Sequence, residues 1–262
     1  MTVSHQENDR LQQLEAENRS LKAALYQREE FIRCTFGRYL TDEVLEEILN
    51  SRNGLRIGGE RREVTIMFSD LRNSTALSEQ LEAVDFIRML NHFLEEMIEI
   101  INAWQGNILD FVGDAIVVVF GAPRPNDSSA RDAIACAVAM QRRMHAVNDW
   151  NREQGYPEIS MGIGIHTGEA ILGNIGSQTR MKYDMIGRNV NLASRIESYT
   201  RGGQILVSTE TLNAAGEMVK ENEQRSFFVS PKGIQGEILL HDIVGFGHHS
   251  LPEVSVEHQH LN

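Results

Sequence analysis

Apolar residues crowd the segment Ile108–Gly121, ILDFVGDAIVVVFG, on both sides of a single Gly-Asp pair. The runs Ile108, Leu109, Phe111 and Ile116 to Phe120 read as two buried strands, with Gly113-Asp114 as the tight turn between them. Taken alone, Gly-Asp is ordinary turn chemistry. A second segment changes the picture. Val64–Thr75, VTIMFSDLRNST, is another apolar strand that ends on an aspartate, Asp70, followed by a Ser/Thr-rich helix entry. Two strand-end carboxylates suit a divalent metal.

The remaining pattern divides the chain. Leu11, Leu14, Asn18, Leu21, Leu25 and Ile32 fall at heptad spacing, with Arg28 as the poor fit, and predict a short parallel coiled coil over residues 1–35. Asn18 at an a-type position pairs best with its own copy in a two-stranded coil; the alternative is a single surface helix. Gly37 breaks this helix and Thr41 restarts one, and Asn50–Arg62 is rich in Gly and Arg, so 36–62 reads as hinge and linker. A globular domain follows over 63–246 and a polar tail over 247–262.

Within the domain, Leu77–Trp104 has one apolar face formed by Leu81, Phe86, Leu90, Phe93, Leu94, Met97, Ile98 and Ile101, and reads as one long helix. After the 108–120 hairpin and a Pro-bearing loop comes a second long helix, Ser129–Gln154. Ile159–Thr167 alternates as a strand, Gly168–Gly176 as another, and a helix over Asn189–Tyr199 precedes a strand at Gln204–Ser208 and a strand pair near Phe227 and Ile238–Val244. This order predicts an α+β fold, a ferredoxin-like split βαβ sandwich with two helices on one face of an antiparallel sheet.

Composition narrows the function. A formal net charge of -12 over 262 residues argues against nucleic acid as a partner and leaves small anionic substrates, met by metal or a few placed cations. Two cysteines, Cys34 and Cys136, offer neither a disulfide framework nor metal-ligand spacing, which predicts a reducing, cytoplasmic setting. No apolar run is long enough for a membrane span. His248, His249, His258 and His260 lack the carboxylate or Cys spacing of a metal site.

FSDLRNST, DFVGDAIVVVFG, GIGIHTGEAILGNIGS and YDMIGRNVNLASRIES, in this order, resemble the catalytic domain of the class III nucleotide cyclases, over about Glu63–Gly245. Phe36–Leu49 is similar to the coupling element that precedes many bacterial members, which leaves room for a sensor or regulator upstream. The resemblance implies conversion of a nucleoside triphosphate to a 3′,5′-cyclic monophosphate and pyrophosphate, with two Mg²⁺ or Mn²⁺ ions. It implies Asp70, Asp114 and the Leu71 carbonyl as metal ligands. Asn191 and Arg195, one helical turn apart, match the pair that orients the ribose and stabilises the transition state. Lys232, in SPKG, resembles the lysine that grips the β and γ phosphates. In this family the metal aspartates come from one protomer and the other groups from its partner, so the resemblance implies a homodimer with two equivalent sites.

Base choice departs from the family pattern. Adenylate cyclases commonly carry a lysine four residues before the second metal aspartate and guanylate cyclases a glutamate; this chain has Asp110. Asp184, in YDMIG, matches the adenylate-type aspartate that accepts from the adenine 6-amino group, and it would face guanine O6 as acceptor against acceptor. The expectation is ATP over GTP. The alternatives are a guanylate cyclase and an inactive cyclase-like dimerisation module.

Overall fold

The computed structural model describes residues 2–36, 56–233 and 236–251, so the hinge, the coupling element and the remainder of the tail lie outside the described residues. The chain forms two units, 1–54 and 55–262. In the first, α1 (Thr2–Phe36) is one continuous helix. Its leucines Leu11, Leu14, Leu21 and Leu25 are all more than half exposed and form an apolar stripe along the helix.

The second unit opens with β1 (Gly58–Leu71), and the stretch 58–62, read above as linker, is already strand. The GGERR segment carries no apolar signal because Gly58 to Arg61 are exposed and only Arg62 is half-buried, and it is held instead by backbone pairing with β4 (Met161–Ser177). That pairing runs without interruption from Gly58 opposite Asn174 to Leu71 opposite Met161. The two strands expected over 159–176 are therefore one, 17 residues long.

Between them the chain forms α2 (Ser74–Gln80), α3 (Ala83–Ala103), β2 (Asn107–Val112), β3 (Ala115–Phe120) and α4 (Ser129–Gln154). The helix expected over 77–104 is broken: Leu81 and Glu82 are extended, and the Leu81 N–H closes α2 onto the Leu77 carbonyl. Apolar positions continue on the same side across the break, so periodicity alone does not register it. Then come β5 (Arg180–Ile186), α5 (Arg188–Ser198), β6 (Ile205–Ser208), α6 (Thr209–Ala215), β7 (Val219–Glu221), β8 (Phe227–Val229), β9 (Ile238–Phe246) and β10 (His249–Ser250). His249 is thus not in a loose tail: it pairs with Phe246 across a hairpin, and its Nδ1 lies 2.6 Å from Arg142 Nη1.

The sheet order is β10-β9-β6-β4-β1-β3-β2, with β5 added to β4 and both β7 and β8 to β9. The β4-β1-β3-β2 part, antiparallel throughout and crossed by α3 and α4, is the split βαβ arrangement. Alternation along β1 and β3 separates two cores. Met67, Leu71, Ile116, Val118 and Phe120 pack with α3 and α4 on one face. Val64, Ile66, Val117 and Val119 meet Ala193 of α5 on the other. Because both faces are covered, each strand reads as a continuous apolar run and not as a period of two.

Candidate active site

Each functional side chain is placed by a local feature of the chain. Val112 and Ala115 pair directly, leaving Gly113-Asp114 as a two-residue turn, and Gly113 has a φ of 67° that a side chain would resist. Asp114 is thereby carried to the end of β1, where its Oδ2 accepts a hydrogen bond from the Leu71 backbone N–H at 3.2 Å. Asp70 sits one residue earlier on β1, its carboxyl within hydrogen-bonding reach of that of Asp114.

The C-terminal end of α5 lies over the same strand ends because β4 is glycine-rich there. A Cβ on Gly164 would stand 2.2 Å from the Glu197 nitrogen, and one on Gly162 would stand 1.9 Å from Thr200 Oγ1. The GxG spacing of GIGIHTG puts both glycines on one face of the strand, so the helix end rests on bare backbone. Gly162 is also the register partner of Asp70. Glu197 therefore comes close to Asp70, and Arg72 lies between them. Arg72 Nη2 donates to Asp70 Oδ2 at 3.2 Å and pairs with Glu197 Oε1, while Nη1 donates to the Thr200 carbonyl at 3.4 Å.

This crowding of carboxylates has an electrostatic consequence. Asp70 is pushed up from 3.8 to about 7, first by burial, then by the hydrogen bond and charge of Asp114, with Glu197 adding and Arg72 opposing. Glu197 is raised as well, again first by burial, against the Arg72 charge. Among the described residues no three His, Cys, Asp or Glu side chains form a metal cage. Two adjoining carboxylates and a backbone carbonyl are nevertheless the hard-oxygen set that Mg²⁺ takes when substrate phosphates complete its shell. A cation there would offset the burial and the neighbouring carboxylate charge that together hold the Asp70 proton on. The residues present fit such ions.

A second group of site residues gathers around a lysine that sequence reading missed. Register slips between Ile108 and Asp110, and this bulge in β2 precedes the exposed carboxylate of Asp110. Asp110 Oδ1 accepts from the Phe111 N–H at 3.0 Å, and Asp184 Oδ1 accepts from the Met185 N–H at 2.8 Å. The opposite oxygens turn to Lys182, whose Nζ is 2.7 Å from Asp110 Oδ2 and 3.5 Å from Asp184 Oδ2. Alternation along 180–186 would have placed Lys182 beside Asp184, had that stretch been recognised as a strand.

The third group lies on α5 and the turn after β8. Asn191 is exposed and Arg195 half-buried on α5. The start of this helix is fixed by His166, a residue not singled out from sequence: its Nδ1 lies 2.8 Å from Ser208 Oγ and its Nε2 lies 3.2 Å from Asn189 Oδ1. Burial, the leading influence, lowers its pKa, so the ring is a neutral strut. Lys232 is exposed on a turn whose Gly233 comes near Arg195: a Cβ there would be 3.8 Å from Nη2. The chain thus brings Asp70, Leu71 and Asp114 together, Asp110 and Asp184 together, and the Lys232 turn to Arg195.

Residues 59–244 match the family described as the adenylate and guanylate cyclase catalytic domain. Adenylate cyclase 1 of Rhizobium meliloti (strain 1021) is 30% identical over 213 residues, covering 80% of this chain and 32% of that protein. The chain spans about a third of the length of the curated relatives it matches. Among solved structures, the guanylyl cyclase Cya2 superposes with a TM-score of 0.72 at 43% identity, covering 75% of this chain and 100% of that one. The adenylyl cyclase CyaB from P. aeruginosa gives 0.69 at 36% identity, covering 72% and 97%.

Proposed function

Because the chain belongs to the adenylate and guanylate cyclase catalytic-domain family, we propose that it converts ATP to 3′,5′-cyclic AMP and pyrophosphate at sites shared between two copies of itself. The observation that carries this reading is the pairing of Asp70 and Asp114 at adjoining strand ends, with the Leu71 backbone beside them. These residues would hold two divalent cations, Mg²⁺ or Mn²⁺. When bound, such ions acidify the ribose 3′-hydroxyl and neutralise phosphate charge.

The remaining roles belong to the partner copy's side of each site. Asn191 orients the ribose by hydrogen bonding. The Arg195 guanidinium donates to the α-phosphate oxygens, where charge gathers as the 3′-oxygen bonds to phosphorus and the bond to the leaving pyrophosphate breaks. Lys232 neutralises the departing phosphates, and the hydroxyl proton passes to solvent. Asp184 accepts from the adenine 6-amino group. Two equivalent sites follow from two-fold symmetry, and the exposed leucine stripe of α1, with Asn18 in register, supplies a parallel coil that would hold the pair.

A second reading, GTP as substrate, is favoured by one feature. Asp110 is held as an acceptor by Lys182, which suits guanine N1–H and its 2-amino group, and the 43%-identical Cya2 is a guanylyl cyclase. Competition among ATP, GTP, CTP and UTP with Mn²⁺, with chromatographic identification of the cyclic product, decides between them. Cyclic AMP formed by the wild type and lost in Asp114→Ala supports the first reading. Cyclic GMP supports the second, and no cyclic product from any triphosphate contradicts both.

A further inference from the structure

Lys182 has no assigned role in the layout above, yet two carboxylates converge on it. It lies two residues from Asp184 on β5, so both side chains leave the same face of the strand. Asp110 reaches it from 72 positions away in the chain. Each carboxylate has one oxygen pinned by the following backbone N–H and the other turned to the ammonium. All three side chains are more than a third exposed, where ion pairs contribute little to stability. The arrangement is better explained by what it presents to a ligand.

An ammonium carries three N–H donors. One donates to Asp110 and Asp184 lies at ion-pair distance, so even with both carboxylates served a donor remains for a third acceptor. On the Watson–Crick edge of adenine an acceptor, N1, stands next to a donor, the 6-amino group. A lysine donor with a carboxylate acceptor beside it is the complement of that edge. We propose that Lys182 reads the base: it donates to adenine N1 while Asp184 accepts from the 6-amino group, and Asp110 holds the ammonium in place. The lysine missing at position 110 is thus replaced from β5. This assignment rests on the ATP reading above.

The test compares wild type with Lys182→Met, which has no hydrogen-bond donor, on ATP, GTP and 1-deaza-ATP, in which N1 is replaced by C–H. Lys182→Met is expected to lower kcat/KM for ATP at least tenfold, mainly through KM, while leaving kcat/KM for 1-deaza-ATP within about twofold of wild type, because that analogue has no acceptor to lose. Lys182→Arg, which keeps a charged donor, should recover most of the loss. Equal losses on ATP and 1-deaza-ATP, or no loss on either, would overturn the assignment while the ATP reading stands. A wild type that cyclises GTP in preference to ATP would overturn the ATP reading itself, and with it the bond to N1.

Discussion

Arg72 joins Asp70, at the end of β1, to Glu197, near the end of α5: one guanidinium serves both carboxylates. Glu197 is mostly enclosed, its side chain 12% exposed. Removing the cation would leave a largely buried carboxylate uncompensated. Arg72→Ala is accordingly expected to destabilise the domain by roughly 1–3 kcal/mol, read as a fall in Tm of about 2–10 °C. An unchanged Tm would mean that the contact carries no energetic weight.

The raised pKa of Asp70 sets a pH dependence with a definite sign. In the unfolded chain the group titrates near 3.8, and in the metal-free fold near 7. Between those values the folded state holds a proton that the unfolded state has released, so this group makes stability fall as pH rises from about 4 through 7. In chelator, Tm at pH 5 should exceed Tm at pH 8 by more for wild type than for Asp70→Asn, which cannot ionise. Saturating Mn²⁺ should reverse the trend, raising Tm more at pH 8 than at pH 5. The same pH slope in wild type and Asp70→Asn would exclude Asp70 as its source.

How much of this was legible in the sequence depends on the range of the interaction. The β2–β3 hairpin was readable because Gly113-Asp114 is local turn chemistry between apolar runs, whereas Asn191 and Arg195, whose spacing alone fits any solvated helix face, were singled out only through the family resemblance. The broken helix at Leu81 was not readable, since its apolar face is continuous. Nor was β5, where only Met185 is fully buried and Tyr183 packs beside it, too little for an apolar run. Lys182 with Asp110 and Arg72 with Glu197 are separated by 72 and 125 positions, and nothing in the local pattern of either partner announces the other.

Asp110 offers a second test of base choice, one that also removes the carboxylate paired with Lys182 and puts a lysine in its place. Asp110→Lys removes the acceptor that guanine N1–H requires and adds a donor for adenine N1. The ratio of kcat/KM for ATP over GTP should rise, on the order of tenfold. An unchanged ratio would remove Asp110 from the pocket, and a shift toward GTP would mean that the introduced lysine does not reach adenine N1.

The central claim is that one site draws on two chains, and mixing two inactive variants tests it most directly. Asp114→Ala removes a carboxylate of the metal half, and Arg195→Ala removes the guanidinium of the transition-state half. Each alone should lose at least about a hundredfold in kcat, as single-group losses of electrostatic stabilisers do. In a mixed dimer, one site keeps Asp114 from one copy and Arg195 from the other. With random exchange about half of the dimers are mixed and each has one working site of two, so the mixture should recover up to roughly a quarter of wild-type activity per chain. No recovery, with subunit exchange verified by pull-down through a tag on one variant, would contradict a site shared between chains.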